Sequence, residues 1–155
     1  MNEFFDALKD KLLMLPGVLT YVAQDAVVDE ITANFDDESL QGVKWIELAD
    51  RTIAERIALG FPGEHPILYR TGALFMSLTT DAVVERTENG QGDAHLAMGT
   101  NDERFEELQT GGGRPKLPPR PMVPDNRFSK IILCTTIEEQ CVRLIEGQMR
   151  EVMHA

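Results

Sequence analysis

The residues most able to do chemistry in this chain are three histidines, two cysteines, several runs of carboxylates and a cationic segment rich in glycine and proline. His65 falls in a proline-flanked turn, His95 in a run of alternating residues and His154 beside the last position, so no HxxxH or His-Cys spacing offers a metal site. Cys134 and Cys141 are seven residues apart, and on one helix they would lie two turns, roughly 10 Å, from each other, too far for a disulfide. They read as packed thiols, with Cys141 on the apolar face of a helix rather than placed as a nucleophile. Asp36-Asp37-Glu38, Glu106-Glu107 and Glu138-Glu139 are adjacent carboxylates. Neighbours on a helix point about 100° apart, which suits solvated faces better than an acid and base pair. Gly111-Gly112-Gly113 before Arg114 lacks the GxxxxGK[ST] frame of a phosphate cradle and reads as a hinge.

The segment KLPPRPMVP, residues 116 to 124, is the most distinctive stretch. Five of the eight prolines fall between 115 and 124, so no helix can form inside it. Flexible glycines followed by a stiff, extended piece carrying Arg114, Lys116, Arg120, Leu117, Met122 and Val123 describe an arm that loses little entropy when fixed against a neighbour. On this reading Arg120 pairs across a subunit boundary with carboxylates such as those at 36 to 38 or 106 to 107, because its planar fork binds them bidentately. Two other classes of function remain open: an interaction module presenting PPRP as a polyproline ligand, and a small carboxylate-dependent hydrolase.

The elements that must hold these residues follow from periodicity. Phe5, Leu8, Leu12 and Leu15 predict a short helix stopped by Pro16-Gly17, and Leu19, Val22, Ala26, Ile31 and Phe35 predict a second, longer one. Residues 36 to 43 read as a loop delivering Trp45 to the start of a third helix, with Ala49, Ile53 and Ile57 on its inner face and Gly60 and Pro62 beyond its end. Thr71 is placed to cap a short helix holding Leu74, Phe75 and Leu78. Alternation in 80 to 87 and 93 to 99, around Asn89-Gly90, predicts a β-hairpin that must gain a third strand or lie under helices. A short helical piece is expected at 102 to 108, and a capping box at Thr135 to Glu138 predicts a helix to the C-terminus. The fold class is α+β in one domain, 1 to 155, with N-terminal helices on a small antiparallel sheet, an extended arm at 111 to 124 and a C-terminal helix.

Composition limits the partners. At 155 residues, with 43% hydrophobic and 26% charged, the chain is globular, and its net charge of −11 repels phosphate backbones. The apolar runs are too short to span a membrane and no signal peptide is expected.

With these motifs in order, the chain resembles the phage virion morphogenesis, or tail completion, proteins, including the Mu G-like and P2 S-like members. The likeness runs from about Ile31 to Val123. It takes in Asn34-Phe35, Trp45, the segment from Ile67 to Ser77 (similar to I-L-x-x-T-G-x-L-x-x-S through Leu68, Thr71, Gly72, Leu74 and Ser77) and the closing P-x-R-P pattern at Pro118, Arg120, Pro121 and Met122. Between hairpin and arm the chain departs from the family pattern, keeping Phe105 and Gly112 but lacking its histidine. The resemblance implies a structural role without catalysis, cofactor or metal: a ring, favoured as hexameric, at the head-proximal end of the tail or in the neck. Its partners would be tail tube and neck or connector proteins, with DNA passing the lumen without specific binding. The site of assembly would be the bacterial host cytoplasm and the final location the virion.

Overall fold

A computed structural model of the chain describes residues 2 to 88, 94 to 112, 117 to 124, 139 to 147 and 149 to 150. The class is α+β. In chain order come helix α1 (Asn2–Asp36), strands β1 (Ser39–Leu40) and β2 (Val43–Lys44), helices α2 (Asp50–Ala58) and α3 (Ala73–Leu78), strands β3 (Val83–Glu88) and β4 (Ala94–Gly99), and helix α4 (Phe105–Thr110). Residues 139 to 147 and 149 to 150 are helical near the C-terminus. The predicted capping box at 135 to 138, together with Cys134, lies outside the described residues, as do Arg114, Lys116 and the turn at Asn89-Gly90. Among the described residues no helix is long and apolar enough to cross a membrane.

The two predicted N-terminal helices are one. Helix α1 is 35 residues long and carries Pro16 inside it. A proline removes one N–H from the ladder and crowds the carbonyl four residues back, a local cost. The apolar periodicity on both flanks continues through it, so the helix does too. The stretch from 36 to 43, read as a loop, contains a miniature hairpin in which Ser39 faces Lys44 and Leu40 faces Val43. Its turn is Gln41-Gly42, with φ of 49° and 86°, the paired left-handed conformation that two-residue hairpins require.

The chain forms two compact units. One comprises Met1–Val27, Val84–Met98 and Ile131–Ala155; the other comprises Val28–Val83 and Gly99–Lys130. In the first unit β3 and β4 pair in a two-stranded sheet. Val84 and Arg86, and Ala94, Leu96 and Met98, are half-buried while their neighbours are exposed, as alternation predicts. A lone hairpin is marginal, and here α1 supports it: the Arg86 guanidinium sits 4.2 Å from the centre of the Tyr21 ring.

The core of the second unit is built on Phe35. Trp45 meets that ring edge-on at 5.4 Å and 88°, and Phe75 meets it at 5.3 Å and 68°. Ile31, Leu40, Ile67, Leu74, Leu78 and Met122 complete the buried set around these rings. Trp45 therefore belongs to the extended segment after β2, not to the start of a helix, since α2 begins only at Asp50. The inner face predicted for α2 is also revised. Ile57 is 61% exposed and the buried residue is Arg56, whose alkyl stem packs inward while its guanidinium donates to the Pro66 carbonyl at 2.9 Å.

Candidate functional site

The proline-rich segment does not reach outward; it is bound into the second unit. Helix α4 ends at Gly111, whose φ of 78° and close approach to Pro119 and the Leu117 carbonyl, 3.0 and 3.1 Å from where a Cβ would lie, leave room only for glycine. Gly112 and Leu117 then exchange both backbone hydrogen bonds, at 3.1 and 2.6 Å, turning the chain back on itself. Beyond that bridge the main-chain donors can be followed one by one. Arg120 N–H donates to the Leu108 carbonyl at 2.7 Å, and Met122 and Val123 N–H donate to the Gln109 side-chain oxygen at 2.8 and 3.3 Å. Pro118, Pro119 and Pro121 have no N–H to satisfy. Every N–H from 117 to 123 is thus either paired or absent, which is how an irregular strand can enter a core without a buried orphan.

The acceptors are held as closely. The Trp45 indole donates to the Pro121 carbonyl at 2.7 Å, the Asn34 amide to the Met122 carbonyl at 3.1 Å and the Gln109 amide to the Val123 carbonyl at 2.8 Å. Gln109 acts as a one-residue strand partner, receiving and donating on the same short piece of backbone. Met122 has no exposed surface.

Arg120 and Met122, expected to face a neighbouring subunit, are corrected on this ground. Arg120 is 5% exposed; its Nε donates to the Ile46 carbonyl at 2.8 Å and an Nη to the Glu47 carbonyl at 3.0 Å. Its fork is spent on its own chain, and the carboxylates at 36 to 38 and 106 to 107 are not its partners. Burial pulls its pKa below the usual arginine value, and the nearby Glu47 charge opposes that shift. Leu117 and Val123 are half-buried beside it. A polyproline-ligand role for PPRP would require lifting Arg120 and Met122 out of this core.

The other positions singled out in the sequence fall in the same unit. Leu74 is buried, and Leu68 is half-buried with a left-handed φ of 52°. Gly72, with φ of 77°, precedes α3, where Thr71 was expected to cap; the Thr71 hydroxyl instead accepts from Ala73 N–H at 3.4 Å. Ser77 donates to the Leu74 carbonyl at 2.9 Å and receives the Thr100 hydroxyl at 2.7 Å, tying α3 to the residue after β4. Glu38 joins the loop at 65 to 67 to the miniature hairpin, accepting from Ile67 N–H at 2.6 Å and lying 2.5 Å from His65 Nδ1. His65 is thereby a structural contact at the surface.

One face of this unit carries an open groove of about 850 Å3, in which Pro118 and Leu117 of the bound segment meet α2, α3 and α4. Its apolar lining includes Leu48, Leu68 and Leu74. Five arginines also line it, Arg51, Arg56, Arg70, Arg104 and Arg120, against two glutamates, Glu47 and Glu55. Arg104 is paired: its Nη lies 2.5 Å from the Asp102 carboxylate, and this bond holds the Asp102 carboxyl below the usual range. Arg70 stacks 5.3 Å from the Phe61 ring centre. The Arg51 side chain makes no hydrogen bond or ion pair among the described residues. Periodicity could not reveal this groove, because arginines at 51, 56, 70, 104 and 120 share no spacing.

Among the described residues no group of three or more histidine, cysteine or acidic side chains is placed to hold a metal. Cys141 is half-buried, and burial pushes its thiol pKa up, away from thiolate reactivity. No family model matches the chain, and neither a curated protein nor a solved structure is found to match it.

Proposed function

We propose that this chain is a structural virion protein of a tailed phage, a tail completion or neck subunit that closes into a ring at the head-proximal end of the tail. The reading draws on the order of motifs from Asn34-Phe35 to the P-x-R-P pattern. The observation that supports it is their convergence: Asn34 and Trp45 hold the carbonyls of Met122 and Pro121, 88 and 76 residues away in sequence. Motifs scattered along the chain serve one module, which is the economy expected of a subunit selected for shape. The ring is hexameric on this reading, its neighbours are tail tube and connector proteins, and a net charge of −11 suits a lumen past which a duplex slides without being gripped.

Electron microscopy of the purified full chain tests the proposal. Closed rings of uniform diameter with an axial opening are expected, and a field of single subunits or open filaments at every concentration would contradict it.

A further inference from the structure

The groove described above holds two buried cations whose charge is not neutralised by an ion pair. Arg56 is 4% and Arg120 5% exposed, and each spends its hydrogen bonds on neutral main-chain carbonyls; neither forms an ion pair among the described residues. The Arg56 Nε is buried and has no hydrogen-bond partner among the described residues. Buried charges are ordinarily matched by a counter-charge, because little water remains to solvate them. Glu47 and Glu55 also line the groove, and Glu47 partly offsets Arg120, but five arginines outnumber these two carboxylates at its wall. Arg51 adds an exposed cation in the first turn of α2, the end of a helix where positive charge is disfavoured. All this stands in a chain whose net charge is −11.

The opposite charge is found at the end of α1. Its last turn contains no basic residue, and Lys44 donates to the Asp37 carbonyl there, while the carboxylates of Asp36 and Asp37 are exposed and form no ion pair among the described residues. Neither aspartate lines the groove of its own chain. A carboxylate pair seated among these arginines would meet opposite charge, while Leu48 and Leu68 would supply an apolar floor for the contact.

We infer that the arginine-lined groove of one subunit receives the C-terminal end of α1, Asp36 and Asp37, from a second copy of this chain. The contact is head-to-tail, since groove and acidic end are different surfaces, and repeated head-to-tail contacts close into a ring when the rotation allows. This inference rests on the ring-forming reading above.

Complementary charge reversal separates the two. Arg51→Glu with Arg70→Glu alters only exposed groove positions, and Asp36→Arg with Asp37→Arg alters only the exposed helix end, so both variants keep the fold, which circular dichroism verifies. Sedimentation is measured for the wild type, for each variant alone and for their equimolar mixture. The wild type forms the closed multimer, each variant alone shows self-association weakened by about 100-fold or more, and the mixture regains a multimer of alternating variants. A wild-type multimer that persists in either variant alone overturns the groove contact and leaves the ring reading standing. Dissociation of each variant without recovery on mixing also overturns the pairing of these two surfaces. A wild type that stays monomeric at all concentrations overturns both.

Discussion

Trp45 and Pro121, 76 residues apart in sequence, are joined by a 2.7 Å hydrogen bond from the indole Nε1 to the proline carbonyl. That bond fastens the proline-rich segment to the aromatic cluster around Phe35, which Trp45 meets edge-on. The segment is therefore part of the interior support of its unit.

Replacing the indole by a phenyl removes the donor and also trims the buried ring that meets Phe35. Trp45→Phe leaves the Pro121 carbonyl without its partner and should lower the unfolding free energy by about 1–3 kcal/mol, read from urea denaturation at unchanged m-value. A change within about 0.5 kcal/mol, the range of ordinary surface substitutions, would mean that the bond contributes little.

Gln109 carries three contacts on Met122 and Val123 from one buried side chain. Gln109→Leu keeps the approximate volume but strands the Met122 N–H, and should cost about 1–3 kcal/mol. Hydrogen exchange offers a finer reading: the Met122 and Val123 amides should lose protection by a larger factor than amides of β3 and β4, which belong to the other unit.

Arg120→Ala is expected to destabilise the monomer rather than spare it. Cutting back the guanidinium removes the donors to the Ile46 and Glu47 carbonyls and leaves space where a buried side chain lay. A loss of about 2–4 kcal/mol is expected from thermal or urea unfolding. Deletion of 111 to 124 should for the same reason unfold the second unit, so its effect on assembly cannot be separated from its effect on folding.

The Asp102 and Arg104 pair gives a dependence on pH. The hydrogen bond from Arg104 holds the Asp102 carboxyl below the usual aspartate range, more than offsetting its partial burial. A depressed folded-state pKa stabilises the fold fully above the ordinary aspartate value and loses that contribution as pH falls through the depressed value. The Arg104 side chain is 60% exposed, so solvent screening keeps the gain small, below about 1 kcal/mol. An NMR titration should place Asp102 below the ordinary value in the wild type and return it upward in Arg104→Ala.

Local pattern was a good guide where an element depends on its own residues. The alternation in β3 and β4 needs only a period of two, and the stop after α2 needs only Gly60 and Pro62. It was a poor guide where distant residues decide. Pro16 and Gly17 form a strong stop signal, yet α1 passes through them because the flanking periodicity outweighs one missing hydrogen bond. Gln41-Gly42 is a weaker turn signal than Asn-Gly, so the miniature hairpin was hidden. The buried roles of Arg56, Gln109 and Arg120 left no trace in periodicity, since each is fixed by a carbonyl or amide that the chain brings near only on folding. The prolines of 118 to 121 were legible as extended backbone. Their further meaning, the removal of N–H groups that the core could not pair, depends on where the segment lies.

The mass of the full chain in solution is the most direct test of the assembly role. Light scattering after size exclusion, across a wide concentration range and at low and high salt, should give one discrete multimer, six subunits on the present reading, that salt weakens as it screens the groove. A single-subunit mass under every condition would contradict the account.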